Sequence, residues 1–275
     1  MAKQKLSFFN KKVLKSSLAI ISAYFTIATI VLTFLGDYIG KAKLWIFIGV
    51  VIISLLTYII VYLIANHLSH IDLTINNSTV SIYFGDIFKE TDNVIVPFNE
   101  YFDTTMDENV ISPNTLHGKY LRTLNSTDTL DDEIEQSENL KDRIVNTNKK
   151  RIGLKQIRYR LGTILPRKKY FLLAFSKFDD ENKAYLHQNE YVECLLEMWG
   201  QIDKIYNGNT VCIPLLGSGI TRMKDNIGIT DQELLEIMIW SFRISKIKFT
   251  YPSKVKIVLY KGKQDKINLY RLKGE

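Results

Sequence analysis

The residues best suited to chemistry lie in a short glycine-bearing loop. Val211-Cys212-Ile213-Pro214-Leu215-Leu216 reads as a buried strand and runs straight into Gly217-Ser218-Gly219-Ile220-Thr221. In open α/β sheets ligands bind beyond the carboxyl ends of strands, where glycines let backbone N–H groups approach a phosphate. The loop is not a Walker loop, because no Gly-Lys-Ser/Thr follows. It is not a dinucleotide fingerprint either, because position 222 is Arg and the next helix starts about ten residues later. A plain turn is the competing reading. A second segment, Gly85-Asp86-Ile87, leads through Asp92 into Val94-Ile95-Val96-Pro97-Phe98-Asn99. Taken singly, Asp86 reads as a turn residue and Asn99 as a strand-end cap. Further on, Ser112-Pro113-Asn114-Thr115-Leu116-His117-Gly118 holds the most notable of the four histidines, while His67 and His70 follow an apolar stretch. No His/Cys cluster has metal-ligand spacing, so no metal is expected. Cys194 and Cys212, both in apolar surroundings, read as buried spectators in a reducing compartment.

The elements that position these residues can be read from periodicity and turn chemistry. Residues 71–75 and 79–84 form strands around Asn76-Asn77-Ser78, and 93–98 is a short buried strand. Residues 160–165 and 170–177 flank Pro166-Arg167-Lys168-Lys169, a hairpin pattern. Residues 188–206 are an amphipathic helix with Tyr191, Leu195, Met198, Trp199 and Ile202 at helical spacing, a core-packing stripe. A strand at 210–216 precedes a helix at 231–245, which Thr230 and Glu233 open with a capping box. That helix is apolar nearly all round, so burial under a sheet is expected. Residues 254–260 are a last strand. The alternation predicts a layered α/β domain. Residues 121–160, acidic and then basic, look like an insertion, part helix and part loop.

Charge and hydropathy divide the 275 residues into two regions. Residues 1–65 carry seven Lys and one acid, Asp37, whereas the remainder carries 29 Lys+Arg against 28 Asp+Glu. The net charge of +7 therefore belongs almost wholly to an apolar N-terminal quarter, which points to a membrane surface rather than nucleic acid. Residues 18–35 and 44–65 contain no charge. A helix needs about 20 apolar residues to cross a bilayer, so each stretch can span one, and the short link makes them a hairpin. A cleaved signal peptide is the weaker alternative for the first stretch. Lys3, Lys5, Lys11, Lys12 and Lys15 precede the first span, against Lys41 and Lys43 in the link. That asymmetry predicts cytoplasmic N- and C-termini in a two-span cell-membrane protein, with 1–67 as anchor and 68–275 as cytoplasmic domain. Ala19, Ser22, Thr26, Thr29 and Thr33 line one face of the first span, as an association surface or as residues bonding their own backbone.

Gly-Asp-Ile, a short strand and a terminal Asn resemble the opening of macro domains, the ADP-ribose-binding modules. Ile213-Pro214-Leu215-Leu216-Gly217-Ser218-Gly219-Ile220 resembles their second signature, in the right order and about 120 residues later. The resemblance covers about residues 70–261 and implies a macro-domain-like three-layer α/β sandwich with a mixed sheet. It implies that Asp86 accepts from an adenine amino group, that Ile87 supports the ring, that Asn99 faces the distal ribose, and that Gly217–Thr221 wrap the diphosphate. Hydrolytic macro domains usually carry a glycine run after the Asn segment. This chain has Tyr101-Phe102-Asp103-Thr104-Thr105-Met106-Asp107 instead, and Val96 stands where the first Asn of the usual pair lies. Binding without turnover is therefore expected, with no cofactor; a membrane-tethered ADP-ribosyl hydrolase is the alternative. Two spans before a divergent macro domain resemble the membrane effectors of the Thoeris antiphage system. That family implies an NAD-derived signal made by a TIR-domain protein, an ADP-ribose derivative that is a histidine conjugate in one branch. It also implies homo-oligomers that disrupt the lipid membrane. Asp103, Thr104, His117 and the Gly217–Arg222 loop are associated with this branch.

Overall fold

The computed structural model describes residues 5–40, 42–107, 110–225 and 228–274; Lys3, Lys41 and the Arg222 side chain lie outside the described residues. The chain divides into two compact units, Met1–Ile71 with Ile267–Glu275, and Asp72–Lys266.

The first unit is built on two helices, α1 (Lys11–Ile39) and α2 (Ala42–His67). Asn10 caps α1, its side-chain oxygen accepting from Lys12 N at 2.9 Å. Both helices are long and apolar enough to cross a membrane. They pack as a hairpin, and Tyr24 OH donates to Ser54 Oγ at 2.9 Å between them. The hydroxyls of Ser22, Thr26, Thr29 and Thr33 each donate to a carbonyl one turn back in their own helix, at 2.8–3.0 Å. Each of these hydroxyls therefore satisfies itself within its own helix. At the base of the hairpin Leu6, Val13, Val61, Ala65 and Tyr270 share a small core. Tyr270 OH donates to Ser16 Oγ at 2.7 Å, and Leu6 N donates to Asn66 Oδ1 at 2.8 Å. Residues 267–274 therefore group with the hairpin, whereas the sequence places them with the domain at 68–275. No periodic pattern in 267–275 announces this.

The second unit contains the strands β1 (His70–Ile75), β2 (Ser78–Gly85) and β3 (Asn93–Asn99), followed by α3 (Leu116–Leu121), α4 (Asp128–Gln136) and α5 (Glu138–Lys141). Next come β4 (Ile144–Thr147), β5 (Ile157–Tyr159), β6 (Ile164–Arg167), β7 (Tyr170–Phe178), β8 (Ala184–Leu186) and α6 (Gln188–Ile205). The chain continues through β9 (Val211–Pro214), β10 (Arg222–Met223), α7 (Asp231–Ser245) and β11 (Val255–Tyr260). Asn76 and Asn77 both have positive φ, as a two-residue hairpin turn requires.

Among the described residues the main sheet runs β1-β2-β11-β9-β3-β7-β8-β10, with β6 also on β7. The pairs β2–β11, β11–β9, β9–β3 and β3–β7 are parallel, while β6 and β8 pair antiparallel with β7. This is a mixed sheet with the macro-domain-like α/β fold expected from the sequence. Consecutive β3 residues Val94, Ile95 and Val96 are all buried, so both sheet faces are covered. One face packs Val94, Val96, Phe98, Leu172 and Ala174 against Tyr120, Leu130, Ile134 and Leu140. Helices α6 and α7 are locked together by Trp199, whose Nε1 donates to Ser241 Oγ at 2.9 Å and whose ring lies 4.8 Å from that of Phe242.

Three local expectations change. The Thr230–Glu233 capping box opens α7, with Thr230 Oγ1 accepting from Glu233 N at 3.2 Å, but Trp240 is 48% exposed, so α7 has a solvent face. Of the strand placed at 160–165 only Ile164 and Leu165 are extended, in β6; residues 160–163 form a turn, because the strand before them, β5, pairs with β4 in a separate hairpin within the insertion. Strand β9 stops at Pro214, and Leu215 and Leu216 already belong to the loop that follows.

Candidate functional site

Because β2, β11, β9, β3 and β7 run parallel, their carboxyl ends share one edge. A cavity of about 980 Å³ opens along that edge. Its walls come from Gly85–Lys89, Pro97–Asn99, Val110–Ser112, Asn114–His117, Phe175, Ser176 and Phe178, Pro214–Thr221, Tyr260, Lys261 and Lys263. Of the residues predicted from sequence, it brings together Asp86, Ile87, Asn99, His117, Gly217, Ser218, Gly219, Ile220 and Thr221. Pockets for small ligands commonly span about 300–1,000 Å³, so this one is at the large end.

At the β2 end, Asp86 is exposed and its Oδ1 accepts from Phe88 N at 3.1 Å, which caps the turn Ile87–Lys89. The carboxylate stays at the cavity wall, as an acceptor for a ligand N–H must. At the β9 end, the loop carbonyls are tied back. Tyr191 OH donates to Leu216 O at 3.1 Å, Ser218 Oγ to Leu215 O at 2.8 Å, and Lys263 Nζ to Ser218 O at 2.8 Å. Lys263 is itself held by Asp231, at 3.0 Å from Oδ2. The backbone N–H groups of Gly219, Ile220 and Thr221 donate to no acceptor among the described residues. Gly217 has φ +80°, and a Cβ there would lie 3.0 Å from Met223 Cε, so the turn needs glycine. The result is a neutral cluster of donors suited to an anion.

Asp103 and Thr104 were expected at the ligand, but they do not line the cavity. Asp103 is 1% exposed and pairs with Arg151, itself 8% exposed, at 2.8 Å. The Arg151 guanidinium also lies 3.8 Å from the centroid of the Tyr101 ring. Thr104 Oγ1 donates to Asp131 Oδ1 at 2.7 Å, and Lys155 Nζ donates to Phe102 O at 3.0 Å. Arg151, Asp131 and Lys155 all come from the insertion, so the turn after β3 anchors it. Asn99 shares in this: Nδ2 donates to Asp103 Oδ2 at 2.9 Å, while Oδ1 accepts from Tyr101 N and Asp103 N. The ion pair was invisible in sequence because its partners lie 48 positions apart.

His117 stacks on Phe98 with ring centroids 3.5 Å apart, and its Nε2 lies 2.9 Å from Asp103 O. Burial away from water pushes its imidazole down to about 3, against the opposing pull of the Asp103 carbonyl, so the ring is neutral at physiological pH. Elsewhere Glu90, Asp92 and Cys212 offer donor atoms within 4.8 Å of one another. The Lys256 ammonium already sits on both carboxylates, at 3.0 and 2.7 Å, and burial raises the Cys212 thiol to about 12. One ammonium thus already bridges the two carboxylates.

The sequence reading missed the cations around the cavity, Lys89, Lys119, Lys261 and Lys263, and the apolar wall of Phe175 and Phe178. Tyr260-Lys261-Gly262-Lys263 could have been found, since it follows directly on the last strand and so lies at a carboxyl end.

Comparison with known proteins bears on this geometry. A family model described as "Thoeris protein ThsA, Macro domain" matches residues 80–260. A Thoeris protein ThsA from Bacillus amyloliquefaciens (strain Y2) is 41% identical over 261 residues, covering 92% of this chain and 87% of that protein. Among solved structures, an Oceanobacillus iheyensis macrodomain variant aligns with a TM-score of 0.48 at 16% identity, over 75% of this chain and 93% of that one. The Oceanobacillus iheyensis macrodomain with ADP aligns with a TM-score of 0.41 at 15% identity, over 74% of this chain and 95% of that one. On the family match and the 41% identity, the chain belongs to the Thoeris ThsA family, and residues 80–260 are its macro domain.

Proposed function

We propose that this chain is a ligand-gated membrane effector of antiphage defence. The macro domain binds an NAD-derived, ADP-ribose-type signal made by a TIR-domain partner, a histidine conjugate being one form. Binding drives assembly of several chains, and the two helices of each disrupt the cell membrane. The observation that carries the reading is the open edge of the parallel sheet. An exposed carboxylate at Asp86 and unpaired amides at Gly219–Thr221 wall one cavity. Those groups match an adenine amino group and a diphosphate. Lys5, Lys11, Lys12 and Lys15 before the first uncharged stretch support cytoplasmic termini. Two helices cannot enclose a pore, so disruption requires an oligomer, and only a ligand with higher affinity for the assembled state can drive it.

Binding without turnover is part of the proposal. Both oxygen and nitrogen of the Asn99 amide are engaged in the turn after β3, and Tyr101, Phe102 and Asp103 are buried there. A turn so tied lacks the freedom to place a water against a distal ribose.

The test uses the full-length chain in lipid nanodiscs and in dye-loaded liposomes. Calorimetry against ADP-ribose and its histidine conjugate should show binding. Gly219→Glu should abolish it, lowering affinity by more than about 100-fold through repulsion of the diphosphate. A Cβ at Gly219 meets nothing within 4 Å, so that variant can fold. Unchanged affinity would displace the site from this loop. Dye release should require ligand; release without it would overturn gating. Incubation with ADP-ribosylated protein should free no ADP-ribose, and release that is lost in Asn99→Ala would put the hydrolase first.

A further inference from the structure

His117 is a buried polar side chain in the cavity with an unused function among the described residues. His117 is 7% exposed and lines the cavity from α3, with its ring stacked on Phe98. Its Nε2 meets the Asp103 carbonyl at 2.9 Å. A carbonyl oxygen only accepts, so Nε2 carries the ring's hydrogen. The other nitrogen, Nδ1, makes no hydrogen bond among the described residues. In a neutral ring with Nε2 protonated, Nδ1 is a bare lone pair.

Strand order places it. Across the edge the sequence is β2, β11, β9, β3, β7. Asp86 stands at the end of β2, the unpaired amides at the end of β9, and Phe98 and Asn99 at the end of β3. A ligand laid across this edge, with its base at Asp86 and its diphosphate at Gly219–Thr221, carries whatever lies beyond the diphosphate to His117.

We propose that His117 is the specificity-determining residue of this cavity, with Nδ1 accepting a hydrogen bond from a hydroxyl or N–H group that the ligand carries beyond its diphosphate. The proposal rests on the ADP-ribose reading of the site. It predicts preference for ligands that reach beyond the diphosphate, because only these bring Nδ1 a donor and gain that hydrogen bond. It also predicts discrimination against a carboxylate at that position, which has no proton to offer.

Asn and Gln each reproduce one ring nitrogen. In His117→Asn the amide oxygen can stand where Nδ1 stood, with the Asp103 bond lost. In His117→Gln the terminal amide can keep donating to Asp103, with no acceptor at the Nδ1 position. Titration of the full-length chain in nanodiscs with ADP-ribose and with ADP separates the roles. The unaltered chain should prefer ADP-ribose. His117→Gln should lose about tenfold of that preference while its ADP affinity stays within about twofold, and His117→Asn should retain most of the preference. Preference unchanged in the Gln variant would overturn the proposal, as would equal losses in both variants. Loss of ADP binding in the Gln variant would assign His117 to the fold instead. An unaltered chain that binds neither ligand would refute the ADP-ribose reading itself.

Discussion

Two turns leave neighbouring parallel strands at the same edge of the sheet, and they use their polar groups in opposite ways. After β9, the carbonyls of Leu215, Leu216 and Ser218 are bound by Ser218, Tyr191 and Lys263, while the amides of Gly219–Thr221 are left open. After β3, Asn99, Asp103 and Thr104 spend their groups on each other and on the insertion. The first turn is rigid in order to present donors outward. The second is rigid in order to hold protein to protein. A position at a strand's carboxyl end thus makes a residue available to a ligand only when the rest of the fold leaves its polar groups free. The practical lesson is that Asp103 is a structural charge whereas the β9 loop keeps its donors open, and the two should respond differently to substitution.

The largest effect is expected in the β3 turn. Asp103→Ala leaves the buried Arg151 guanidinium without its carboxylate, and breaking such a pair typically costs about 3–5 kcal/mol. Urea unfolding should show that loss in stability. A loss below about 1 kcal/mol would show that the turn does not depend on the pair. The next effect sharpens the comparison through pH. His117 has its imidazole held near 3 in the fold, against about 6.5 in an unfolded chain. Between those values the unfolded chain binds a proton that the folded chain does not. Stability from this group is therefore complete above pH 6.5 and falls as pH drops towards 3, by at most about 1.4 kcal/mol per pH unit. The difference in unfolding free energy between pH 7 and pH 5 should shrink in His117→Phe, which keeps the stack on Phe98; an identical pH dependence would sink the assignment.

Smaller effects are expected in the β9 loop. Lys263→Met removes the cation that binds Ser218 O and Asp231 at the cavity wall, and one hydrogen bond to a charged donor is worth about 1.5–3 kcal/mol at most. ADP-ribose affinity should fall several-fold with the unfolding midpoint little changed. A stability loss without an affinity loss would make Lys263 a purely structural residue. The smallest effect is Gly219→Ala, where a Cβ meets open space. Replacing glycine at a compatible position stabilises by about 0.4–1 kcal/mol through the unfolded chain, whereas Gly217→Ala, at φ +80°, should destabilise by more than that. Thermal unfolding of the two variants, shifting in opposite directions, would confirm that the loop is shaped by its first glycine and kept open at its second.

Much of this was legible in sequence where the signal was local. The apolar lengths of residues 18–35 and 44–65, the Asn76-Asn77 turn, the Thr230–Glu233 cap and the strand running into Gly217 all depend on neighbours a few positions away. The insertion's own hairpin was missed because Ile144–Thr147 is exposed on every residue and shows no alternation of burial. The solvent face of α7 was missed because an apolar count around a helix cannot tell how far its partner sheet extends.

The sequence by itself determined which segments are apolar enough to need burial or lipid, where the chain can turn, and which glycines free the backbone after a strand. These are properties of single residues and their near neighbours. Only the tertiary structure decided which polar groups remain available. Arg151 reaches Asp103 across 48 positions. The Asp103 carbonyl fixes the hydrogen of His117 on Nε2 and frees Nδ1. The final residues return to the base of the hairpin through Tyr270 and Ser16. Each of these depends on a hydrogen-bond partner far away in the chain, and such a partner is chosen by packing rather than by residue type.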